Sequence, residues 1–216
     1  MKKPPEMVLF DCDGVLVDSE SLTADVLISN LGRHGLMITH NQLSDFFLGG
    51  TIMGVAAKAR ELGADLPANW IDDIYEEIFD VLGREVEPIP GVDAVLDSLD
   101  AAGIAYAVGS NGPRRKMEIT LTRCGLADRL RGRVYSRQDV ANPKPAPDVY
   151  LKAAKDAGIA PAQCVVIEDS PNGARAGIAA GMVTFGFAAE TDPSRLQPIC
   201  DLVFNDMADL PGLLGL

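Results

Sequence analysis

Short apolar runs alternate with segments of helical periodicity along most of this chain. The runs predicted to be strands are MVLF, IAYAV, CVVI and MVTF, at residues 7–10, 104–108, 164–167 and 182–185. The segments between them carry apolar residues at helical spacing and end at a glycine that can close a helix, at Gly103, Gly125, Gly158 and Gly181. This alternation is typical of βαβ units. The sequence therefore predicts an α/β fold whose parallel sheet is covered by helices on both faces.

One region departs from this rhythm. Between about residues 19 and 84 there is no β-branched run, and the stretches 19–35, 51–63 and 67–83 each show helical spacing and a closing glycine. Thr39 and Gln42 have the spacing of a capping box, which marks the start of a further short helix. We therefore predict a helical domain, residues 18–85, inserted after the first strand of a core formed by residues 1–17 and 86–216.

Charge and hydropathy exclude several classes of protein. Acidic residues outnumber basic ones by 31 to 19, and the net charge of -12 opposes binding to nucleic acid or to an anionic membrane surface. No apolar stretch reaches the about 18 residues that cross a bilayer. The N-terminal apolar run stops at Asp11, which is too early for a signal peptide. We expect no nucleic-acid or membrane partner.

Cysteine usage indicates the cellular compartment. The four cysteines show neither CxxC spacing nor a partnered histidine, which disfavours a disulfide framework and a zinc site; they are Cys12, Cys124, Cys164 and Cys200. We expect reduced thiols in a cytoplasmic protein. The sequence does not predict the oligomeric state.

Polar residues follow three of the predicted strands, where ligands bind in α/β sheets. The carboxylates among them would repel one another without a cation, and a hard divalent ion meets that need, so we predict a Mg²⁺ site among Asp11, Asp13, Glu168 and Asp169. After the second strand, Ser110 and Asn111 offer neutral donors to the oxygens of an anion.

Each of these residues also has an ordinary structural interpretation. An acidic residue after a strand often caps a helix, and an Asn-Gly pair such as that at 111–112 is typical of a hairpin turn. The hairpin is disfavoured because residues 113–125 have the pattern of a helix.

In order and spacing, these residues resemble the motifs of the haloacid dehalogenase superfamily of phosphotransferases. FDCDGVLVDSE resembles the first motif, VGSNG the second, Lys144 of NPKPAPDVY the third and VIEDSPNGARAG the fourth. The resemblance implies a Rossmann-like parallel sheet core. The helical insertion is similar to the cap domain of the subfamily that contains β-phosphoglucomutase and many sugar-phosphate phosphatases.

The resemblance also implies a role for each residue. Asp11 is then the nucleophile that forms an aspartyl-phosphate, and Asp13 is the general acid and base. The phosphoryl oxygens are held by Ser110, Asn111 and Lys144. The Mg²⁺ ligands are Asp11, the main-chain oxygen of Asp13 and Asp169, while Glu168 is either a further direct ligand or a partner of one.

The implied function is that of a Mg²⁺-dependent phosphatase acting on a small phosphorylated metabolite, a sugar or sugar-acid phosphate. The stretch SNGPRRKM is also similar to a subgroup of bacterial phosphatases that act on 6-phosphogluconate and related compounds. A β-phosphoglucomutase-type mutase is the alternative. The cap histidine and arginine of those mutases align near Thr23 and Ile52, which carry no charge, although Lys58 or Arg60 stays open as a substitute.

Two other functions are disfavoured by residues that this chain contains. Dehalogenases and phosphonoacetaldehyde hydrolases of the superfamily lack the second aspartate, which is present here as Asp13. A non-catalytic ligand sensor is expected to lack at least one of Asp11, Asp13, Lys144 and Asp169.

Overall fold

The computed structural model describes residues 3–47 and 51–216, with the backbone alone at 44–47. The chain divides into two compact units. The first runs from the N-terminal residues to Asp18 and continues through Glu87–Leu216, and the second is Ser19–Val86. The assignment of the second unit as a cap domain stays a prediction.

Strands and helices are numbered here in chain order. The strands are β1 (Met7–Phe10), β2 (Val17–Asp18), β3 (Glu87–Pro88), β4 (Ala105–Ser110), β5 (Val134–Ser136), β6 (Cys164–Glu168), β7 (Val183–Phe187) and β8 (Leu202–Phe204). The helices of the first unit are α5 (Val92–Ala102), α6 (Arg114–Arg123), α7 (Asp148–Ala157), α8 (Pro171–Ala179), α9 (Pro193–Leu196) and α10 (Leu210–Leu214). Those of the second unit are α1 (Glu20–Arg33), α2 (His40–Phe47), α3 (Ile52–Glu61) and α4 (Trp70–Glu85).

The first unit is built on a six-stranded sheet in the order β5-β4-β1-β6-β7-β8, and its ladders are all parallel. The predicted α/β fold is confirmed, and each of the four predicted strands is present with its ends within two residues of the prediction. Strands β5 and β8, which have three residues each, were not predicted from the sequence, and neither was the short antiparallel pair formed by β2 and β3.

Strand β1 lies in the interior of the sheet, between β4 and β6, and its four residues are all buried. Phe10 is in register with Val108 of β4 on one side and with Ile167 of β6 on the other. The chain continues from β4 to β5 on the first side and from β6 to β8 on the second, so the strand order reverses beside β1. Such a reversal leaves a crevice beyond the carboxyl ends of the strands, and Asp11 directly follows β1 at that point.

The described part of the second unit contains four helices, and α1 packs against α4. Trp70 donates its indole hydrogen to Asn30 Oδ1 over 2.7 Å, and this pair is buried. At the start of α2, the Thr39 main chain donates to Gln42 Oε1 at 2.9 Å and the Gln42 main chain donates to Thr39 Oγ1 at 3.4 Å. The predicted capping box is therefore present.

Within the ranges described above, none of the helices combines the length and the apolarity that crossing a membrane requires.

The packing of α8 on the sheet depends on a residue without a side chain. A β-carbon on Gly177 would lie 2.4 Å from Thr184 Oγ1 and 3.2 Å from Val166 Cβ. We predict that Gly177→Ala lowers the free energy of unfolding by roughly 1–3 kcal/mol, because the added methyl overpacks the contact between helix and sheet. Urea denaturation measures the change.

A matched control is Gly212→Ala in α10, where a β-carbon would meet nothing within 4 Å. This change should be neutral or stabilise the protein by about 0.5 kcal/mol through the unfolded state. Equal destabilisation by both substitutions would contradict the packing argument.

Candidate active site

A buried lysine joins the ends of two neighbouring strands. Lys144 lies in the loop between β5 and α7, and its Nζ is 2.5 Å from Asp11 Oδ1 and 2.6 Å from Glu168 Oε1. The Lys144 side chain is 3% exposed, that of Asp11 11% and that of Glu168 1%. Three charged groups from distant parts of the sequence thus form one ion-pair cluster at the carboxyl ends of β1 and β6.

Glu168 is held by donors on both of its oxygens. Oε1 accepts from Lys144 and from the Tyr150 hydroxyl at 2.9 Å, while Oε2 accepts from the main chain and the hydroxyl of Ser170 at 3.1 and 3.0 Å. Gly173 permits this placement, since a β-carbon there would fall 1.6 Å from Oε1. Of the two roles left open for Glu168, these contacts favour that of a partner that fixes Lys144.

Asp13 lies two residues beyond Asp11, where the chain turns back towards β2. Its Oδ1 is 2.7 Å from Nζ of Lys116, a residue in the first turn of α6. The side chains of Lys116 and Asp13 are 15% and 20% exposed. The two aspartates are therefore each paired with a different lysine, one in the interior and one nearer the surface.

The loop after β4 connects the strand to α6 and carries two of the predicted phosphate-binding residues. Ser110 Oγ accepts a hydrogen bond from the Gly112 main chain at 2.9 Å. The Asn111 side chain donates to the main-chain oxygen of Lys144 at 3.1 Å and accepts from its nitrogen at 2.9 Å. The oxygen and one amide hydrogen of the Asn111 side chain are bonded to the main chain of Lys144, so this side chain links the loop after β4 to the loop that carries Lys144.

Asp169 follows β6 and lies against the loop that contains the two aspartates. A β-carbon on Gly14 would be 2.3 Å from Asp169 Oδ2, and Gly14 has a φ of +73°. Glycine is therefore required twice at this position, for the backbone conformation and for the close approach of the carboxylate. The structure thus brings all seven predicted site residues to one edge of the sheet.

Burial and charge shift the proton affinities in this cluster. The pKa of Asp11 is raised to about 7. Burial is the main cause, Lys144 opposes it, and the negative charges of Glu168 and Asp13 add to it. Burial would lower the pKa of Lys144, but Asp11 and Glu168 outweigh it and raise that pKa. Burial also raises the pKa of Tyr150, as do the charges of Glu168 and Asp11, so its hydroxyl keeps its proton and donates.

The four carboxylates fit a divalent cation by charge and by donor chemistry. Lys144 pairs with Asp11 and Glu168, Lys116 pairs with Asp13, and Asp169 lies against Gly14. Two negative charges are in excess among these six groups when all are ionised. In the described ranges, no three Asp, Glu, His or Cys side chains converge to hold a metal by themselves. Mg²⁺ does not need such a cage, because it commonly binds one or two carboxylates together with water and substrate phosphate.

Sequence reasoning missed two residues of this cluster, Lys116 and Tyr150. Tyr150 has the helical spacing of a core residue, so nothing in the pattern separates it from its apolar neighbours. Lys116 did leave a signal. The first turn of α6 contains three basic residues and no acidic one, the reverse of what the helix dipole favours.

Comparison with known protein families identifies what this chain resembles as a whole. A family model described as a haloacid dehalogenase-like hydrolase matches residues 5–181. Among curated proteins, the 6-phosphogluconate phosphatase of Escherichia coli is 28% identical over 96% of this chain and 94% of its own length. The hexitol phosphatase A of the same organism is 31% identical over 94% of this chain and 91% of its own.

A solved structure is similar to this chain in fold and in sequence. It is a hydrolase of this family from Deinococcus radiodurans, determined with bound phosphate and sodium. It is 32% identical, has a TM-score of 0.82, and the match covers 98% of this chain and 96% of that one.

The hydrogen bond from Tyr150 to Glu168 generates a prediction about stability. Tyr150→Phe should lower the free energy of unfolding by roughly 1–3 kcal/mol, because a buried carboxylate loses one of its donors while the ring volume is kept. Denaturation in urea measures the loss.

The control is Tyr75→Phe in the second unit, where the Tyr75 ring packs against Phe79 with its centroid 5.7 Å away. Its effect should stay within about 0.5 kcal/mol, the usual range away from buried networks. If the two variants lose the same stability, the Tyr150 hydroxyl contributes nothing specific to the cluster.

Proposed function

We propose, since the chain belongs to the haloacid dehalogenase-like hydrolase family, that it is a Mg²⁺-dependent phosphatase of small sugar or sugar-acid phosphates. It is a phosphoric monoester hydrolase that works through an aspartyl-phosphate on Asp11. The observation that carries the proposal is the position of Asp11 at the reversal of strand order, paired with Lys144 and two residues from Asp13.

The first half of the reaction transfers the phosphoryl group to the protein. A carboxylate oxygen of Asp11 attacks phosphorus, and the bond between phosphorus and the leaving oxygen breaks. Asp13 gives its proton to that oxygen, so the substrate leaves as an alcohol. Asp13 is then a carboxylate beside the ammonium group of Lys116.

The second half returns Asp11 to its starting state. The Asp13 carboxylate takes a proton from water as the water oxygen attacks phosphorus, and the bond from phosphorus to Asp11 breaks. Inorganic phosphate leaves, and Asp13 is again protonated. One residue thus serves as acid and then as base, which requires that it lie near the reacting phosphorus in both steps.

Phosphoryl transfer depends mainly on positioning and on neutralising charge. Lys144 supplies a buried positive charge next to Asp11, and Glu168 together with Asn111 fixes its location from two sides. Ser110 Oγ and the main chain of Asn111 are the proposed hydrogen-bond donors to the phosphoryl oxygens. Glu168 acts on the substrate through Lys144 and not directly.

The residues proposed to hold Mg²⁺ are Asp11, Asp169 and the main-chain oxygen of Asp13. When bound, the ion supplies positive charge that keeps Asp11 ionised and neutralises phosphoryl oxygens. Burial raises the pKa of Asp11 and so disfavours its ionised form, and a cation bound beside the carboxylate would oppose that effect.

The substrate class is supported by the relatives. Two curated phosphatases named for sugar-acid and hexitol phosphates match nearly the whole chain. We propose a polyhydroxylated substrate of this kind, with a primary or secondary alkyl phosphate. Such a leaving oxygen needs a proton, which is consistent with the presence of Asp13.

The nucleophile is tested by Asp11→Asn. We predict a loss of turnover of at least about 10³-fold on a panel of sugar, sugar-acid and sugar-alcohol phosphates, because the amide cannot form the phosphoenzyme. Release of inorganic phosphate measures turnover, and acid quenching of the wild type followed by mass spectrometry detects phosphate on Asp11.

The matched control is Asp128→Asn, which removes an exposed ion pair with Arg131 and should leave turnover unchanged. Turnover by a folded Asp11→Asn variant would refute the nucleophile. Conversion of β-glucose 1-phosphate to glucose 6-phosphate with little free phosphate would instead show a mutase.

Metal dependence is tested by chelation and by binding. We predict that chelation removes activity and that Mg²⁺ restores it. In a measurement independent of activity, Mg²⁺ should raise the thermal midpoint of the wild type but not of Asp169→Asn, because ligand binding to the native state stabilises it.

Asp128→Asn again serves as the control and should respond to Mg²⁺ as the wild type does. Full turnover by protein whose metal content has been measured as absent would contradict the proposed site.

A further inference from the structure

The first turn of α6 has an unfavourable placement of charge. Arg114, Arg115 and Lys116 are consecutive at a helix N-terminus, where the aligned backbone N–H groups already concentrate positive charge. Arg114 is compensated by Asp139, at 2.5 Å. Helix stability therefore does not explain the basic residues, and a local rule broken in this way is typical of a functional site.

Lys116 is largely withdrawn from solvent and directed at Asp13. The distance between Lys116 Nζ and Asp13 Oδ1 is 2.7 Å, and both side chains are at most one-fifth exposed. Lys116 thus differs from an exposed lysine, because its ammonium group is held in an ion pair within a largely buried side chain. The ion pair therefore restrains the position of the Asp13 carboxylate.

The other oxygen of Asp13, Oδ2, lies near Gly112 in the loop after β4. A β-carbon on Gly112 would lie 3.5 Å from Asp13 Oδ2 and 3.2 Å from Ser110 Oγ, so both atoms border the same small volume. Oδ1 is therefore engaged by Lys116, while Oδ2 lies near the loop that carries Ser110. The absence of a side chain at Gly112 keeps that volume open.

We infer that Lys116 is a positioning residue for the acid and base of the reaction, holding Asp13 by Oδ1 so that Oδ2 meets the leaving oxygen. This inference rests on the proposed function. The Asp13 proton passes to the leaving oxygen as its bond to phosphorus breaks, and Lys116 keeps its own protons throughout. Its charge lies next to the carboxylate that this transfer creates and so favours the transfer.

The need for a proton from Asp13 depends on the leaving group of the substrate. Benzyl phosphate releases an alkoxide that must be protonated, whereas 4-nitrophenyl phosphate releases a phenolate that is stable without a proton. A defect in Asp13 positioning should therefore appear with the first ester and spare the second. The ratio kcat/KM is the appropriate measure, because it includes breakage of the ester bond and excludes the later attack of water.

The experiment compares Lys116→Met with Lys116→Arg and with Lys155→Met, an exposed lysine of α7, in the full chain with Mg²⁺. For Lys116→Met we expect kcat/KM to fall about 10- to 100-fold on benzyl phosphate, which is part of the rate enhancement that a general acid contributes. On 4-nitrophenyl phosphate we expect kcat/KM to fall less than about threefold. Lys116→Arg should recover most of the loss. Lys155→Met should match the wild type on both esters.

A double-mutant cycle connects the effect to Asp13. Asp13→Asn should show the same selective loss, and adding Lys116→Met to it should cause little further loss, because the two residues act as one unit. Equal losses on both esters would overturn the inference and indicate a structural role or direct binding of the phosphate. No loss on either ester would overturn it as well.

The proposed function is tested separately by the wild type. If the wild type hydrolyses 4-nitrophenyl phosphate but Lys116→Met shows no selective loss on benzyl phosphate, only the proposed role of Lys116 is overturned. If the wild type hydrolyses neither ester and no sugar phosphate, the phosphatase proposal and the inference fail together. A thermal midpoint for each variant shows whether it is folded.

Discussion

The ammonium group of Lys144 allows two carboxylates to lie at the ends of adjacent strands in the protein interior. The parallel register of β1 and β6 places Asp11 and Glu168 side by side. Without a cation these two carboxylates would repel each other in a medium of low dielectric. Removing one partner of such a buried group costs about 3–5 kcal/mol, because a charge is left uncompensated. The loop that carries Lys144 is consequently fixed to the sheet by electrostatics and by Asn111.

Close approach between loops is the second constraint on this edge of the sheet. Carboxylates lie against Gly14 and Gly173, at positions where a β-carbon would collide with Asp169 and with Glu168. Gly14 makes room for Asp169 from a distant part of the chain, and Gly173 makes room for Glu168, which lies shortly before it in sequence. The glycines in the first and fourth motifs are therefore packing requirements of the acidic residues and not simply flexible points.

The inner strands of the sheet could be predicted from the sequence, whereas its two edge strands could not. Strands β1 and β6 are buried throughout, so they form continuous apolar runs that reveal them. Strands β5 and β8 have three residues each with partly exposed positions, which is too short for a pattern to emerge. The predicted carboxylates meet because parallel strands share one carboxyl edge.

What a sequence alone does not contain is the pairing of residues that are distant along the chain. The three consecutive basic residues at the start of α6 mark Lys116 as unusual, but its pairing with Asp13 exists only because the fold places the two side chains together. The commitment of the Asn111 amide to Lys144 likewise depends on two loops meeting in space. A motif can identify which residues are involved, but tertiary contacts decide which atoms remain for a ligand.

The antiparallel pair of β2 and β3 has a consequence for how this fold can change over evolutionary time. Val17 lies opposite Pro88 and Asp18 opposite Glu87, so the chain leaves the first unit and returns to it at neighbouring points. Because the two ends are already held together, the core does not depend on the length of what connects them, and longer connections add little entropy cost. The intervening segment can therefore change in length or be exchanged as a module without altering the six-stranded sheet.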